Sequence, residues 1–324
     1  MIEKIFSKEL HRTQNAKRTC LYSNCTSTAI NSHVLQKNGI LREISENNHL
    51  IELQLSNGFE LRKNRGQKID KIGINKAYSF KGFCKKHDTE IFEPIENGNL
   101  IDFHNPMVQA LFSYRAVCQE LRRKETSIDF ATGIMKYNEV QNKDMMQFLI
   151  DGMHDGIRNL YWFRNELERS LIENNYEDFE FNTVEFKKIE LCISVPLNIS
   201  ELVLTGNEDY EEWKANKPNP IKTSFINIFP FKNKSYFIGG YHKKMPCNWT
   251  KVKLQKWAKM KQRKVFKELS DLIVLRLEFW IMSPRLYRSI PNTKIENYRK
   301  IFRKNLFEHS PKLRTKLNLF DHLK

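Results

Sequence analysis

The sequence has little that belongs to a membrane or secreted protein. Its 324 residues contain no run of 18 uninterrupted apolar side chains, which a membrane-spanning helix needs. The segment MIEKIFSKELHRTQNAKR at the N-terminus lacks an apolar core of signal-peptide length. The six cysteines belong to a chain too long for a small disulfide-stabilised domain. We therefore expect a cytoplasmic protein with no membrane association and no disulfide framework.

Acidic residues are absent from a long stretch of the C-terminal third. From Trp213 to Lys267 there are 15 lysines or arginines and no aspartate or glutamate. Residues 213–324 hold 27 basic and six acidic groups, whereas residues 1–212 carry a net charge of −5. This segregation predicts a surface for a polyanion, and we expect nucleic acid, DNA rather than RNA. The alternative is a compositional bias towards lysine and asparagine.

One lysine-rich segment of this third has a helical period and is the predicted phosphate-binding surface. Its candidate residues are Lys251, Lys253, Lys256, Lys259, Lys261, Arg263 and Lys264. Lysines neutralise phosphates and release counterions, which gives affinity without sequence selectivity. The aromatic residues between the lysines of this third are expected mostly in the core, since alternate residues of a strand such as SYFIGGY must point inward. The alternative is that they stack on exposed bases.

Four residues with metal-binding side chains occur as two short pairs. Cys20 and Cys25 enclose four residues, whereas Cys84 and His87 enclose two. Zn²⁺ prefers thiolate sulfur and imidazole nitrogen in tetrahedral geometry, and each short loop brings two side chains to one ion. The sequence therefore predicts a structural zinc site. The alternative is that Cys20 and Cys25 are ordinary surface residues, and the other cysteines (Cys118, Cys192 and Cys247) lie in apolar patterns typical of small buried side chains.

A predicted hairpin separates the two ligand pairs. Residues 49–63 alternate between apolar and polar around Asn57-Gly58, a dipeptide that tolerates the positive φ angles of a two-residue turn. An inserted hairpin explains how the pairs can meet although 58 residues lie between Cys25 and Cys84.

The arrangement of these residues resembles the HNH (ββα-metal, treble-clef) endonucleases with a structural zinc. A cysteine pair precedes a strand that carries His33, and the second pair opens a helix at Asp88. The resemblance covers residues 18–97. It implies that His33 activates water for phosphodiester hydrolysis and that Asp88 binds a catalytic Mg²⁺ or Mn²⁺. This chain has Ser32 where the family usually has an acidic or histidine metal ligand.

Both implied catalytic residues have structural alternatives. The alternative for His33 is that it is a hydrogen-bonded core histidine or that its side chain supports a zinc ligand from outside the ligand set. Asp88 is able to cap a helix that begins at Thr89, because a carboxylate accepts backbone N–H bonds there. Sequence alone leaves both alternatives open.

The sequence as a whole predicts an α+β protein. A small zinc-bound treble-clef (ββα) module is expected at residues 1–100, followed at 101–324 by a mixed α/β domain with a basic helical C-terminal third. Within the larger domain, residues 105–175 have a helical period with Asn105 as cap and Pro106 at the first position. Two strands joined by a turn at 232–235 and one long helical segment after residue 250 are expected to follow. The leading functional hypothesis is a metal-dependent endonuclease of DNA or RNA, with a role in bacterial antiviral defence by analogy. The alternatives are a non-catalytic zinc-finger protein that binds nucleic acid and a zinc-stabilised subunit of a defence or toxin assembly, with a protein partner or a second copy of the chain.

Overall fold

The computed structural model describes residues 2–55, 67–96, 101–198, 220–306 and 314–323. It is a mixed α/β protein with antiparallel sheets, as the sequence predicts. The described helices are Ile2–Asn15 (α1), Arg42–Ile44 (α2), Lys85–Glu96 (α3), Pro106–Met135 (α4), Lys143–Glu173 (α5), Asn248–Trp257 (α6), Gln262–Leu275 (α7), Pro284–Ser289 (α8) and Asn292–Leu306 (α9). A π-helical turn at Lys37–Leu41 leads into α2.

The described strands form two antiparallel sheets. They are Asn31–His33 (β1), His49–Leu55 (β2), Gln67–Gly73 (β3), Ser79–Lys81 (β4), Phe179–Lys187 (β5), Leu191–Leu197 (β6), Ser224–Phe231 (β7), Lys234–His242 (β8) and Trp280–Met282 (β9). The larger sheet has seven strands in the order β3-β2-β9-β6-β7-β8-β5, and the smaller sheet pairs β1 with β4. Among the described residues, no helix combines the length and the apolar character that crossing a membrane requires.

The middle strands of the seven-stranded sheet, β9, β6 and β7, are buried on both faces. On β7, Phe225 and Phe229 join a core shared with α4 and α5, whereas Ile226 and Ile228 join a second core with α7 and α9. Successive side chains of a strand point to opposite faces, so this alternation places one helical layer on each side of the sheet. The result is three layers, and the residues around the predicted zinc ligands pack on the α4–α5 side.

Sequence signals mark the start of the first long helix. Asn105 precedes α4, and its side-chain oxygen accepts the Met107 backbone N–H at 2.9 Å. Pro106 occupies the first helical position, where its missing N–H costs no intrahelical bond. The predicted helical stretch at 105–175 is confirmed by α4 and α5, whose apolar faces bury residues such as Phe112 and Phe163.

Two predicted elements differ from the structure. The single helical segment expected after residue 250 is divided into α6 and α7 by a turn at 258–261, and it is followed by the short strand β9. The hairpin between the ligand pairs is present in a different register: Leu55 pairs with Gln67, whereas a two-residue turn at Asn57-Gly58 would pair it with Glu60. The Asn57-Gly58 dipeptide itself lies outside the described residues.

Strands from both sides of residue 100 belong to one sheet. On β2, Leu53 pairs with Trp280 of β9. The core on the α4–α5 side is also continuous across residue 100. It joins Phe83 and Phe92, which lie near the predicted zinc ligands, to Phe112 of α4. The predicted division into 1–100 and 101–324 stays a prediction.

Candidate metal centre

The first ligand pair lies in a tight loop, the knuckle loop (residues 20–27). The Cys20 N–H donates to the Ser27 carbonyl at 2.9 Å, and the Cys25 N–H donates to the Tyr22 carbonyl at 3.2 Å. Asn24 takes a φ of 60° at the tip, a left-handed conformation that asparagine tolerates better than most residues. These contacts turn both thiols towards the same side of the loop.

The second ligand pair lies at the start of α3. The strand pair β1–β4 returns the chain to the knuckle loop, and Cys84 stands immediately before the helix. Its carbonyl accepts the Asp88 N–H at 2.9 Å, which closes the first helical turn around His87. A knuckle, a strand pair and a helix therefore follow in the order predicted for a treble clef.

The four predicted ligands converge. The Nδ1 atom of His87 lies 3.4 Å from the Sγ of Cys20 and 3.4 Å from the Sγ of Cys84, and the Sγ atoms of Cys25 and Cys84 lie 3.9 Å apart. All four ligand atoms lie within 4.8 Å of one another. Tetrahedral zinc with ordinary bond lengths needs about 3.8 Å between sulfurs and about 3.6 Å between sulfur and nitrogen.

This Cys₃His cluster is therefore able to hold a metal such as zinc. Its donor set consists of soft thiolates and an imidazole, which suits Zn²⁺ better than a hard cation. The ring centroids of Tyr22 and His87 lie 4.1 Å apart, so the two rings pack against each other and Tyr22 limits the orientation of the imidazole. Burial raises the pKa of the Cys20 thiol to about 11, whereas a backbone hydrogen bond from Ser27 lowers the pKa of Cys25. Metal binding here would release the proton of Cys20.

Helix α5 holds the knuckle loop from outside the ligand set. Arg164 donates from Nη1 to the Leu21 carbonyl at 2.8 Å and from Nη2 to the Ser23 hydroxyl at 2.9 Å. The carboxylate of Glu168 accepts the Ser23 N–H at 3.1 Å and the Tyr114 hydroxyl at 2.5 Å. Sequence reasoning missed both residues, because nothing local marks a side chain whose partner lies far along the chain.

Helix α4 holds the same loop through a buried arginine. Arg122 donates from Nη2 to the Thr19 carbonyl at 2.5 Å and from Nε to the Lys81 carbonyl at 2.7 Å. These two bonds tie the entrance of the knuckle loop to β4. The centre thus depends on both long helices as well as on its four ligands.

His33 ends β1 with a half-buried side chain. Its Nε2 lies 3.1 Å from the Ile74 carbonyl oxygen, and a carbonyl only accepts, so Nε2 carries the proton and Nδ1 is the acceptor. Burial lowers the pKa of His33, and the positive charge of Lys37 lowers it further. The ring is therefore neutral near pH 7. Ser32 points the other way, is buried, and accepts the Phe83 N–H through its Oγ at 3.3 Å.

Asp88 lies within α3 and does not cap it. The helix begins at Lys85, so the alternative that Asp88 caps a helix starting at Thr89 is wrong. Its Oδ1 is buried without a hydrogen-bond partner among the described residues. In the same part of the chain, no hydrogen bond or ion pair joins Asp88 to His33. The structure brings the four predicted zinc ligands together, but it does not join the two predicted catalytic residues.

A second group of potential ligands is a partly exposed ion-pair cluster around the buried His242. The ligand atoms of Glu166, Asp178 and His242 lie within 4.8 Å of one another. However, Arg169 bonds both carboxylates, at 2.6 Å and 2.8 Å. His242 accepts the Lys244 N–H through Nδ1, so its Nε2 carries a proton and faces Glu166 at 3.4 Å. A protonated Nε2 does not bind a metal, and a guanidinium already neutralises the carboxylates.

The predicted phosphate-binding surface is exposed, with one exception. Lys253 is half-buried and pairs with Glu268 at 2.5 Å. The remaining six side chains are exposed and form no ion pair with an acid in the described part of the chain: Lys251, Lys256, Lys259, Lys261, Arg263 and Lys264. We call these six the α6–α7 basic surface. The aromatic residues Phe229, Phe237, Tyr241 and Trp257 are buried, as expected for core residues.

The remaining cysteine predictions are confirmed. All six cysteines are free, so no disulfide is present. Cys118, Cys192 and Cys247 are buried in the cores away from the cluster.

No known protein family, curated protein or solved structure matches this chain. The resemblance to HNH endonucleases therefore stays an expectation from the sequence.

Proposed function

We propose that the chain is a zinc-stabilised nucleic-acid-binding protein. A single observation carries the proposal: the α6–α7 basic surface presents six exposed cations with no acidic partner in the described part of the chain. Unpaired cations over buried apolar residues are the arrangement that follows a phosphate backbone by charge alone. The zinc would be structural, because four protein ligands leave no open coordination position.

The binding is tested by its dependence on salt. Full-length protein should bind a short DNA duplex, and the logarithm of its affinity should fall linearly with the logarithm of salt concentration, by about 0.9 for each phosphate contact. Lys256→Gln, Lys259→Gln and Lys264→Gln together should lower the affinity and flatten that slope by about two to three. Replacing Lys4, Lys136 and Lys143, which are exposed elsewhere, is the matched control. Equal losses in both triple variants would contradict the proposal.

A second candidate, phosphodiester hydrolysis, is favoured by the state of His33. A neutral ring with Nδ1 as acceptor is able to take a proton from water, as a general base requires. A Mg²⁺ or Mn²⁺ ion held by Asp88 would supply charge neutralisation at the leaving oxygen. The buried Ser32 and the lack of a contact between His33 and Asp88 weigh against this candidate.

Plasmid nicking separates the two candidates. If the chain is a nuclease, the protein with Mg²⁺ or Mn²⁺ nicks DNA, His33→Ala abolishes nicking, and the zinc content stays unchanged. The control is His11→Ala, a change of an exposed histidine on α1. Equal DNA binding without cleavage by any of the three proteins would leave the binding function alone.

A further inference from the structure

A cavity of about 480 Å³ lies beside the metal centre, and we call it the knuckle cavity. It is lined by residues 17–25, which include most of the knuckle loop, and by Arg122 and Glu125 of α4 and Tyr161 and Arg164 of α5. A cavity of this size is too large for a single small ion and is of the size that holds a nucleotide. Its lining includes the predicted zinc ligands Cys20 and Cys25, but neither the Cys₃His cluster nor the α6–α7 basic surface accounts for its cationic side chains.

The charged side chains that line the knuckle cavity are mostly cationic. They are Lys17, Arg18, Arg122 and Arg164, with Glu125 as the acid among them. The formal net charge of this lining is therefore +3, and it is +2 if Asp129, which pairs with Arg18, is included. Arginine-rich concave surfaces favour phosphate, because the guanidinium presents several donors in a planar fork.

These cations are close enough to affect one another. Burial lowers the pKa of Arg122, and the positive charge of Arg18 lowers it further. Arg122 pairs with Glu125 at 2.6 Å, and the Tyr161 hydroxyl also donates to Glu125, at 2.9 Å. The Glu125 carboxylate thus accepts hydrogen bonds from two donors. It neutralises only one of the four positive charges that line the cavity.

Two of the cations keep hydrogen-bonding capacity. Lys17 is exposed, and no ion pair to it occurs in the described part of the chain. Arg18 pairs with Asp129 through Nη1, whereas its Nη2 is buried without a hydrogen-bond partner among the described residues. A buried donor that lacks an acceptor is unfavourable, so an anion that reached it would gain by supplying one.

We propose that the knuckle cavity binds a phosphomonoester, either the terminal phosphate of a nucleic-acid strand or the phosphate of a free nucleotide. Both sources offer the same dianionic group. A dianion suits the excess of positive charge in the cavity better than the single charge of an internal phosphodiester. Binding of a strand end rests on the proposed nucleic-acid binding, whereas binding of a nucleotide does not.

The experiment compares matched ligands on the full-length protein. Fluorescence anisotropy measures one single-stranded oligonucleotide with a phosphate at its 5′ end, at its 3′ end or at neither. Calorimetry measures adenosine 5′-monophosphate against adenosine. We expect at least one phosphorylated ligand to bind about fivefold more tightly than its unphosphorylated match, and Lys17→Glu to remove that preference. The control Lys136→Glu makes the same charge change on α4's C-terminal side, outside the cavity, and should preserve the preference.

Each outcome has a defined meaning. A preference for the phosphorylated strand that Lys17→Glu removes assigns a strand end to the cavity, and the same result with adenosine 5′-monophosphate assigns a nucleotide. Equal binding of all matched pairs overturns the proposal, as does a preference that survives Lys17→Glu. If the unphosphorylated strand fails to bind while adenosine 5′-monophosphate binds, the proposed nucleic-acid binding fails and the cavity site stands.

Discussion

Glu168 connects the knuckle loop to the helical core. Its buried carboxylate accepts the Ser23 N–H and the Tyr114 hydroxyl. We expect Glu168→Gln to lower the free energy of unfolding by about 1–3 kcal/mol, because the amide keeps the shape but not the charge that both donors face. The variant should also lose zinc to a competing chelator at a lower chelator concentration, because the loop that carries Cys20 and Cys25 is held less firmly. Urea unfolding and metal competition measure the two effects.

Glu173→Gln is the control for this change. Glu173 is exposed on the same helix, so its substitution removes the same charge without touching the knuckle loop. It should leave the zinc competition unchanged and alter the stability by less than about 0.5 kcal/mol. If both variants retain zinc equally well, the bond from Glu168 does not support the metal centre.

The buried His242 makes the free energy of unfolding depend on pH. The ring is buried between Trp162 and Phe179, and burial lowers its pKa below the ordinary value of 6.5, although the charges of Glu166 and Asp178 oppose that effect. A histidine whose pKa is lower in the folded state favours folding above pH 6.5, and its contribution falls as the pH drops below 6.5, by up to about 1.4 kcal/mol per pH unit.

The variant His242→Gln should therefore have a smaller loss of stability below pH 6.5 than the wild type, although it is less stable near neutral pH. Urea unfolding at several pH values between 5 and 8 measures both effects. Because burial also lowers the pKa of His33, His33→Gln is a useful comparison and should flatten the same part of the curve. A pH profile of His242→Gln parallel to that of the wild type would contradict the prediction.

The four converging side chains of the Cys₃His cluster could be predicted from sequence, and the side chains that support them could not. Two short pairs of soft donors indicate a zinc site, because a zinc ion would dictate the spacing within each pair. Arg164 and Glu168 contact residues more than 140 positions away, and their spacing on α5 is that of any helical neighbours. The catalytic roles inferred by resemblance also depend on geometry, and the contacts of Ser32 and Asp88 were not visible in the sequence.

Among the elements, the turn between β7 and β8 offers a direct test of backbone strain. Phe231 pairs with Lys234, so Lys232 and Asn233 form a two-residue turn, and Lys232 has a φ of 56°. Glycine adopts a positive φ without the steric cost that a Cβ brings. We expect Lys232→Gly to raise the free energy of unfolding by about 0.5–1 kcal/mol in urea titration.

Lys232→Ala separates the strain from the charge. It removes the same amine but keeps a Cβ, so it should give none of the stabilisation. If alanine stabilises as much as glycine, loss of the charge is responsible, and the conformation of the turn is not.

The elements that sequence predicts well are those with strong local signals. The cap at Asn105 and the turn predicted at 232–235 are set by neighbouring residues. The structure confirms the cap, and it places the turn at Lys232 and Asn233. Strand β9 has three apolar residues, all buried, so it carries no alternation to separate it from a helix. Its conformation is determined by pairing with β2 on one side and β6 on the other, which are distant in sequence.

At the scale of the whole molecule, the Cys₃His cluster is packed into the larger core on the α4–α5 side of the sheet. Cys20 and Cys84 belong to the same buried cluster as Phe163 of α5 and Phe225 of β7. Loss of the metal should therefore lower the stability of the entire chain. We expect Cys84→Ser to lower the midpoint of the main unfolding transition, measured by both tryptophan fluorescence and circular dichroism.

A matched cysteine provides the control for this change. Cys192→Ser also alters a buried thiol in the same cluster, but it leaves the four ligands intact. Chelator should lower the midpoint of Cys192→Ser and of the wild type, and it should have no effect on Cys84→Ser. A wild-type midpoint that is insensitive to chelator would show that the centre does not stabilise the chain.

Deletion of residues 1–100 tests the predicted domain boundary at residue 100. Removal of residues 1–100 takes away β2, so Trp280 loses its partner Leu53 at the new edge of the sheet. It also exposes the α4 surface around Tyr114, against which Phe83 and Phe92 pack with ring centroids 5.7 and 6.1 Å away. We expect fragment 101–324 to lose near-ultraviolet circular dichroism and to bind a hydrophobic dye, as partly folded chains do.

Fragment 16–324 is the control for this deletion. It lacks α1, whose Ile5 packs in a small separate cluster with Ile134 and Val140, so both large cores remain complete. It should unfold cooperatively with a midpoint close to that of the full chain. Cooperative unfolding of fragment 101–324 at the full-length midpoint would instead establish residues 101–324 as an independent domain. In that case, the pairing of β2 with β9 would be a contact between two domains, since the larger domain would fold without it.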